Sequence, residues 1–367
     1  QKIKMSNSKE KFIFLMSSIS QPRCIKRINS FIKKGYEVEI YGYDRNIYNL
    51  NAIIEGNKIN ILEKVPSGKL YFYKFFILIK SLRKVFKKFK NQNVIFYSFS
   101  FDISLIILLF SNYKYIYEIS DIIYSNFSNF KLLFRVIDRY VILKSRLTVL
   151  TSKGFQDYLK INKLKNILVQ PNRVDSRLKT QNVEIKIPDQ NEIIFSFVGA
   201  LRYKDTIFRF AKIIGEKFHN HKFYFWGDSS MVALAKQYSE KYTNVKYMGP
   251  FKSPEDLKTI YHQIDLIVAC YDTRLMNTRI AEPNKFYESI KYKTPIIVSK
   301  NTYLESRVEE FGTGFSIDCS NDSEIINFIN CLNEEVIKNK IHNICEIKPE
   351  EYVDDDSDKI FKKLVNV

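Results

Sequence analysis

The stretch AEPNKFYESIKYKTPIIVS, residues 281–299, sets two carboxylates, Glu282 and Glu288, around a Pro-Asn-Lys turn and runs almost at once into a short apolar strand. Pro283 suits the first turn of a helix, where its missing N–H has no use. The helix is expected to run to Tyr292, because Thr294-Pro295 bars its continuation. PIIVS then reads as the next strand. The backbone N–H groups near Asn284 and Lys285 are left free at the helix start. With a lysine beside them they form a ready site for an anion, phosphate above all. Glu288, about a turn further in, is placed to accept hydrogen bonds from hydroxyls. A phosphate cradle beside an acceptor for a diol describes a nucleotide diphosphate with its ribose. The same charges also satisfy a plainer reading, solvated pairs one turn apart on a helix, and spacing alone leaves both open.

Working outward, short strands alternate with helical stretches along the whole chain. In the first half KFIFLMSS, YEVEIYGYD, NVIFYSFS, YIYEIS, LTVLTS and NILVQPN read as strands. CIKRINSFIKKG reads as a helix stopped by Gly35, and YFYKFFILIKSLRKVFKKFK as a long helix. The apolar runs alternate only in part, as in strands covered on both faces, so the pattern is a parallel α/β one. It breaks at DSRLKTQNVEIKIPDQNE and then restarts with IIFSFVG, KFYFWGD, NVKYMGPF, IDLIVACYD, PIIVS and GTGFSID. The expected organisation is a first domain over residues 1–175, a linker over 176–192 and a second domain over 193–345. A C-terminal helix within 346–367 is expected to pack back toward the first domain. Ligands of such sheets bind beyond the carboxyl ends of the strands, and the natural site for two such domains is the cleft between them.

The bulk numbers agree with this. A chain of 367 residues, 45% hydrophobic, suits two folded domains rather than one core or a disordered chain. The densest apolar run, ISLIILLF at 103–110, is too short to span a membrane. The basic opening, QKIKMSNSKEKFIFLMSS, does not read as a signal peptide. Five scattered cysteines without a CxxC pair read as reduced thiols. His219 and His221 in FHNHK have no third ligand nearby and do not make a metal site. The charge is lopsided: residues 1–180 hold 33 Lys+Arg against 12 Asp+Glu, and residues 181–367 hold 25 against 28. The first half therefore presents a surface for an anionic partner: a membrane, a nucleic acid or a phosphorylated substrate. No zinc-finger spacing or RNA-binding aromatic motif is present, so nucleic acid is not expected.

Several segments, taken in order, resemble the GT-B glycosyltransferases of bacterial capsule, exopolysaccharide and O-antigen synthesis, the family 4-like type. They are YEISDI, LTVLTSKGF, ILVQPNRVD, FVGALRYKDT, FYFWGD, NVKYMGPFKSPEDLKTIYHQIDLIVACYD and EPNKFYESIKYKTPIIVSKNTYLESRVEEFGTGFSID. The resemblance covers residues 115–320 well and the first domain more loosely. It implies a GT-B fold: α/β, two doubly wound Rossmann-like domains with parallel sheets facing across a cleft. It implies that Glu288 holds the donor ribose, and that Asn284 and Lys285 lie beneath the donor phosphates. Arg202 and Lys204, in the loop led by Gly199, would reach the pyrophosphate. Gly249 to Phe251 would meet the base. Relatives often carry an earlier glutamate where this chain has Ile280, the nearest carboxylate being Glu282, and a lysine where it has Asp205. They often have a histidine at Ser120.

The expected reaction moves a sugar from a nucleotide-diphosphate sugar, uridine diphosphate by resemblance, to a lipid-linked or growing glycan of a bacterial surface polysaccharide. No cofactor or metal is needed, since N–H groups, Arg202 and Lys285 can stabilise the leaving diphosphate. Retention is favoured over inversion. Glu118, Asp121 and Glu282 are the candidate catalytic carboxylates, Glu118 and Asp121 because a carboxylate at the edge of the first sheet can take the acceptor's proton. Either of these two reads equally as a helix cap, and Asp102 fits a cap better still. Arg23 at the first helix and Lys84, Lys87 and Lys88 on the long helix mark the acceptor and membrane side. There a polyprenyl-diphosphate-linked acceptor and an anionic bilayer would explain the charge. The protein is thus expected in the cytoplasm, peripheral to the inner face of the plasma membrane. A nucleotide-sugar epimerase on the same architecture is the alternative; it would need no acceptor site.

Overall fold

The computed structural model describes residues 10–45, 53–54, 56–65, 71–126, 129–189 and 191–365. The opening residues 1–9 lie outside them. The chain divides into two compact units, one of Gln1–Pro171 with Asp355–Val367 and one of Asn172–Asp354.

The first unit holds β1 (Lys11–Met16), β2 (Glu37–Asp44), β3 (Ile53–Ile54), β4 (Asn57–Lys64), β5 (Val94–Ser98), β6 (Lys114–Ile119), β7 (Leu147–Leu150) and β8 (Ile167–Val169). They form one sheet in the order β3-β4-β2-β1-β5-β6-β7-β8, parallel except for the β3–β4 pair. β5 and β7 are buried at every position, which is why they read as unbroken apolar runs. The sequence reading contains neither β3 nor β4. β4, NKINILEK, is an outer strand with one face in water, so its polar residues hide the strand pattern.

Helix Pro22–Lys33 lays Ile28 and Phe31 on this sheet, with the Phe31 ring 4.9 Å from that of Phe12. The last helix, Asp358–Val365, packs Ile360, Phe361 and Leu364 into the same core, Phe361 lying 4.8 Å from Phe31. Helix Tyr71–Lys88 buries Leu82, Val85 and Phe86 and turns Lys84 and Lys87 outward. Its Lys88 bonds Glu39 and the Tyr41 hydroxyl.

The second unit holds β9 (Ile194–Val198), β10 (Lys222–Trp226), β11 (Val245–Gly249), β12 (Leu266–Ala269), β13 (Ile296–Ser299) and β14 (Gly314–Ile317). All are parallel, in the order β11-β10-β9-β12-β13-β14. Phe195 and Phe197 of the central strand are buried, each burial contributing about 1.5–3 kcal/mol. Residues 176–192, read from sequence as a linker, are tied into this unit: Lys291 Nζ donates to the Gln181 carbonyl at 2.7 Å, and Lys186 pairs with Asp265 at 2.7 Å. A bridge of Val174 with Val353 holds its two chain ends together.

Candidate functional site

The order of the second sheet reverses between β9 and β12, the switch point beyond whose strand ends such sheets bind their ligands. Gly199 follows β9, Gly227 follows β10 and Gly249 closes β11. Gly199 N–H donates to the Trp226 carbonyl and Gly227 N–H to the Gly249 carbonyl, each at 2.8 Å. Gly199 and Gly227 both demand glycine, Gly227 because another backbone lies against it and both because their φ is positive. At Gly227 (φ +135°) a Cβ would lie 1.9 Å from the Gly199 oxygen. At Gly199 (φ +143°) it would lie 2.5 Å from Lys285 Nζ. The flank of Gly249 is open.

Lys285 lies in the first turn of helix Asn284–Lys291. Pro283 stands one residue outside it, extended at φ −75° and ψ 150°. The Lys285 ammonium rests 5.4 Å from the Phe197 ring centre. Among the described residues it makes no hydrogen bond or ion pair. Burial pulls its pKa below the ordinary value, and the neighbouring Glu288 opposes that shift. A cation without a partner, at a helix N-terminus and against a glycine that leaves it room, is equipped to take an anion.

Glu288 is buried one turn on. Its Oε2 accepts from the Tyr261 hydroxyl at 3.0 Å and its Oε1 from Asn284 Nδ2 at 2.8 Å. Burial raises its pKa, while Lys285 and the Tyr261 hydroxyl lower it. Two donors leave further lone pairs for outside hydroxyls. The Asn284 side chain thus serves Glu288, and only its N–H stays with the helix start. Tyr261 was missed from the sequence; it lies on another helix, Leu257–His262, with no local signal to connect it to Glu288.

Glu282 stands just before helix Asn284–Lys291. It is buried, accepting from the Tyr287 hydroxyl at 2.7 Å and from Arg307 Nε at 3.0 Å. Burial raises its pKa against the pull of both partners. A carboxylate so held ties the turn before the helix to helix Tyr303–Phe311.

Arg202 and Lys204 are exposed in the loop after Gly199, and neither side chain has a protein partner among the described residues. The loop itself is anchored: Leu201 is buried, Ser229 Oγ donates to the Leu201 carbonyl, and the Tyr203 ring packs 5.1 Å from that of Tyr271. Asp205, where relatives carry a lysine, accepts from Arg274 Nη2 at 2.5 Å, and the same nitrogen reaches Asp272 Oδ2 at 2.5 Å. Arg274, also missed from the sequence, straps the loop after β9 to the loop after β12. Phe251 is half-buried against the cluster that holds Tyr261 and Phe286.

In the first unit Glu118 is 1% exposed, taking hydrogen bonds from Arg27 Nε at 3.0 Å and from the Tyr97 hydroxyl. Arg27 also donates to Ser357 Oγ at 2.5 Å, tying the C-terminal segment to the first helix. Glu118 is thus held by two buried donors rather than standing free at the sheet edge. Asp121, three residues on, is half-exposed and accepts from Arg23 Nη2 at 3.5 Å. Glu118 and Asp121, three positions apart in sequence, so meet opposite environments.

No described helix is long and apolar enough to cross a membrane.

Residues 179–342, most of the second unit, match the family model described as glycosyl transferases group 1. Curated proteins give no match. Among solved structures, sucrose-phosphate synthase from Thermosynechococcus elongatus superposes with a TM-score of 0.72 at 13% identity, covering 97% of this chain and 100% of that one. The Anabaena protein HepE in complex with UDP-glucose superposes with 0.70 at 13% identity, covering 97% and 100%. The lipopolysaccharide outer core galactosyltransferase WaaB, in its apo form, gives 0.65 at 14% identity, covering 97% and 99%. The chain has the GT-B fold, and residues 179–342 of its second unit are similar to the glycosyl transferases group 1 domain.

Proposed function

We propose that the protein transfers a sugar from a uridine diphosphate sugar to a lipid-linked or growing glycan of a bacterial surface polysaccharide, such as capsule, exopolysaccharide or O-antigen. The observation that carries this reading is the trio at the switch point of the second sheet: Gly199, the partnerless Lys285 against it, and Glu288 one turn behind. The UDP and UDP-glucose bound by HepE, as named for those structures, support uridine as the base.

In this reading the diphosphate lies over the start of helix Asn284–Lys291, with Lys285, Arg202 and Lys204 meeting its charge. Glu288 takes the ribose hydroxyls. The backbone from Gly249 to Phe251 faces the base. Cations and N–H groups aimed at the diphosphate stabilise it as it leaves, so the reading requires no metal. Retention fits the carboxylates of the first unit: Glu118 is committed to Arg27 and Tyr97, which leaves proton removal to the departing phosphate and acceptor positioning to Asp121 and Arg23. An acceptor on a polyprenyl diphosphate would hold the enzyme peripherally at the cytoplasmic face of the membrane.

Titration calorimetry with UDP and GDP, with and without a chelator, tests the donor assignment. Saturable UDP binding that survives the chelator and drops at least about tenfold in Glu288→Ala is expected, since that substitution removes a charged hydrogen-bond acceptor. Binding of neither nucleotide, or equal affinity in Glu288→Ala with the fold intact, would overturn it.

A further inference from the structure

Helix Lys131–Lys144 in the first unit is turned inside out relative to an ordinary surface helix. Leu132, Leu133, Val136, Tyr140 and Leu143 are each more than half exposed. At 3.6 residues per turn all five fall within an arc of about 100°. The opposite side carries Asp138, Val141 and Ile142, which are buried. This is a continuous apolar stripe in water rather than scattered exposure.

The borders of the stripe are cationic. Arg135 and Arg139 lie along one side and Lys144 along the other, its ammonium 5.5 Å from the Tyr140 ring. The helix's only acidic residue, Asp138, points away from it. Beside Leu143 a surface depression of about 550 Å³ is lined by Arg139, Lys160 and Lys163, with Asp157 and Asn162 at its wall. Asn162 Nδ2 donates to Asp157 at 3.3 Å, and the two lysines have no protein partner among the described residues.

We infer that this face, and not the basic side of helix Tyr71–Lys88, is where the protein enters an anionic bilayer. The apolar stripe sinks into the headgroup–acyl boundary, Arg135, Arg139 and Lys144 reach back to the phosphates, and the Lys160–Lys163 depression receives one lipid phosphate. A second protein chain would cover the stripe equally well. The cationic border on both sides, next to a basic depression, is the complementarity that favours lipid. The inference deepens the membrane side of the proposed function and rests on that reading for its purpose, but its test contains no nucleotide, so either can fail alone.

The test is co-sedimentation of the full chain with vesicles of phosphatidylcholine and of phosphatidylcholine with phosphatidylglycerol. Binding to the anionic vesicles is expected, weakening as salt is raised. Val136→Glu should reduce partitioning by about tenfold or more, because a charge replaces an inserted apolar side chain. Lys160→Glu with Lys163→Glu should remove the preference for phosphatidylglycerol, and Lys84→Glu with Lys87→Glu should leave binding unchanged. Circular dichroism and thermal melting of each variant check that the fold is kept. No binding to anionic vesicles, or binding indifferent to Val136→Glu, overturns the inference. So does a wild-type dimer in light scattering that Val136→Glu converts to monomer, since a second copy would then cover the stripe.

Discussion

Asp138 lies on the inner side of helix Lys131–Lys144, fully buried, with Oδ2 accepting from the Tyr124 hydroxyl at 2.6 Å. Burial pushes its carboxyl up to about 7, against the pull of the Tyr124 and Tyr117 hydroxyls, and the Asp102 charge adds to the rise. An unfolded aspartate titrates near 3.9. Between these values the folded chain holds a proton that the unfolded chain has released. Stability is therefore full below the unfolded pKa, falls as pH rises through the window, and levels off above about 7. The whole span is worth about 4 kcal/mol, and more than half of it falls between about pH 5 and about pH 8.

Asp138→Asn keeps the shape and stays neutral, so it should lack this slope. Urea unfolding of both chains across that range, followed by far-UV circular dichroism, measures the difference. Glu282 and Glu288, whose pKa values are also raised, are common to both chains and cancel. Trp226, the single tryptophan, lies in the second unit and reports that unit's fold as a control. The stability of Asp138→Asn relative to wild type should grow steadily with pH. Parallel curves would refute a proton held at Asp138.

Three further outcomes follow from the geometry. Tyr261→Phe removes one of the two internal donors to Glu288, and UDP affinity should fall about three- to tenfold with little change in melting; an unchanged affinity in calorimetry would separate Glu288 from its support. Gly199→Ala drives a Cβ onto Lys285 Nζ and should weaken UDP binding about tenfold while lowering the melting temperature, through strain of about 1–3 kcal/mol. Equal affinity would free Lys285 from the diphosphate. Arg27→Met leaves Glu118 buried without its cation and should cost about 3–5 kcal/mol in denaturant unfolding, part of it recovered by adding Glu118→Gln. A loss below about 1 kcal/mol, the size of an exposed pair, would contradict the burial of that ion pair.

The alternation of strand and helix, the parallel sheets and the break near the middle of the chain were legible in one dimension. Strands such as IIVS at β13 and LIVA at β12 are buried on both faces and announce themselves by composition. Glu288, Lys285 and Gly199 were legible too, because a helix start, a strand end and a glycine are local signals, sharpened by family resemblance. β3 and β4, at one side of the first sheet, were not, since half-wet strands dilute the apolar pattern.

What tertiary structure alone decided is the state of each charge. Glu118 and Asp121 differ by three positions in sequence, yet one is locked to Arg27 and Tyr97 and the other meets solvent beside Arg23. Glu282 and Glu288 flank the same helix start, yet Glu282 takes its hydrogen bonds from Tyr287 and Arg307 and Glu288 from Tyr261 and Asn284. The partners Arg27, Tyr261, Arg274 and Arg307 lie tens of residues away along the chain, brought in by crossover connections. The same holds for the stripe on helix Lys131–Lys144: its residues would read as core in any sequence. Sequence determines which residues are apolar or charged; burial and partners, which set what those residues do, exist only once distant segments have packed.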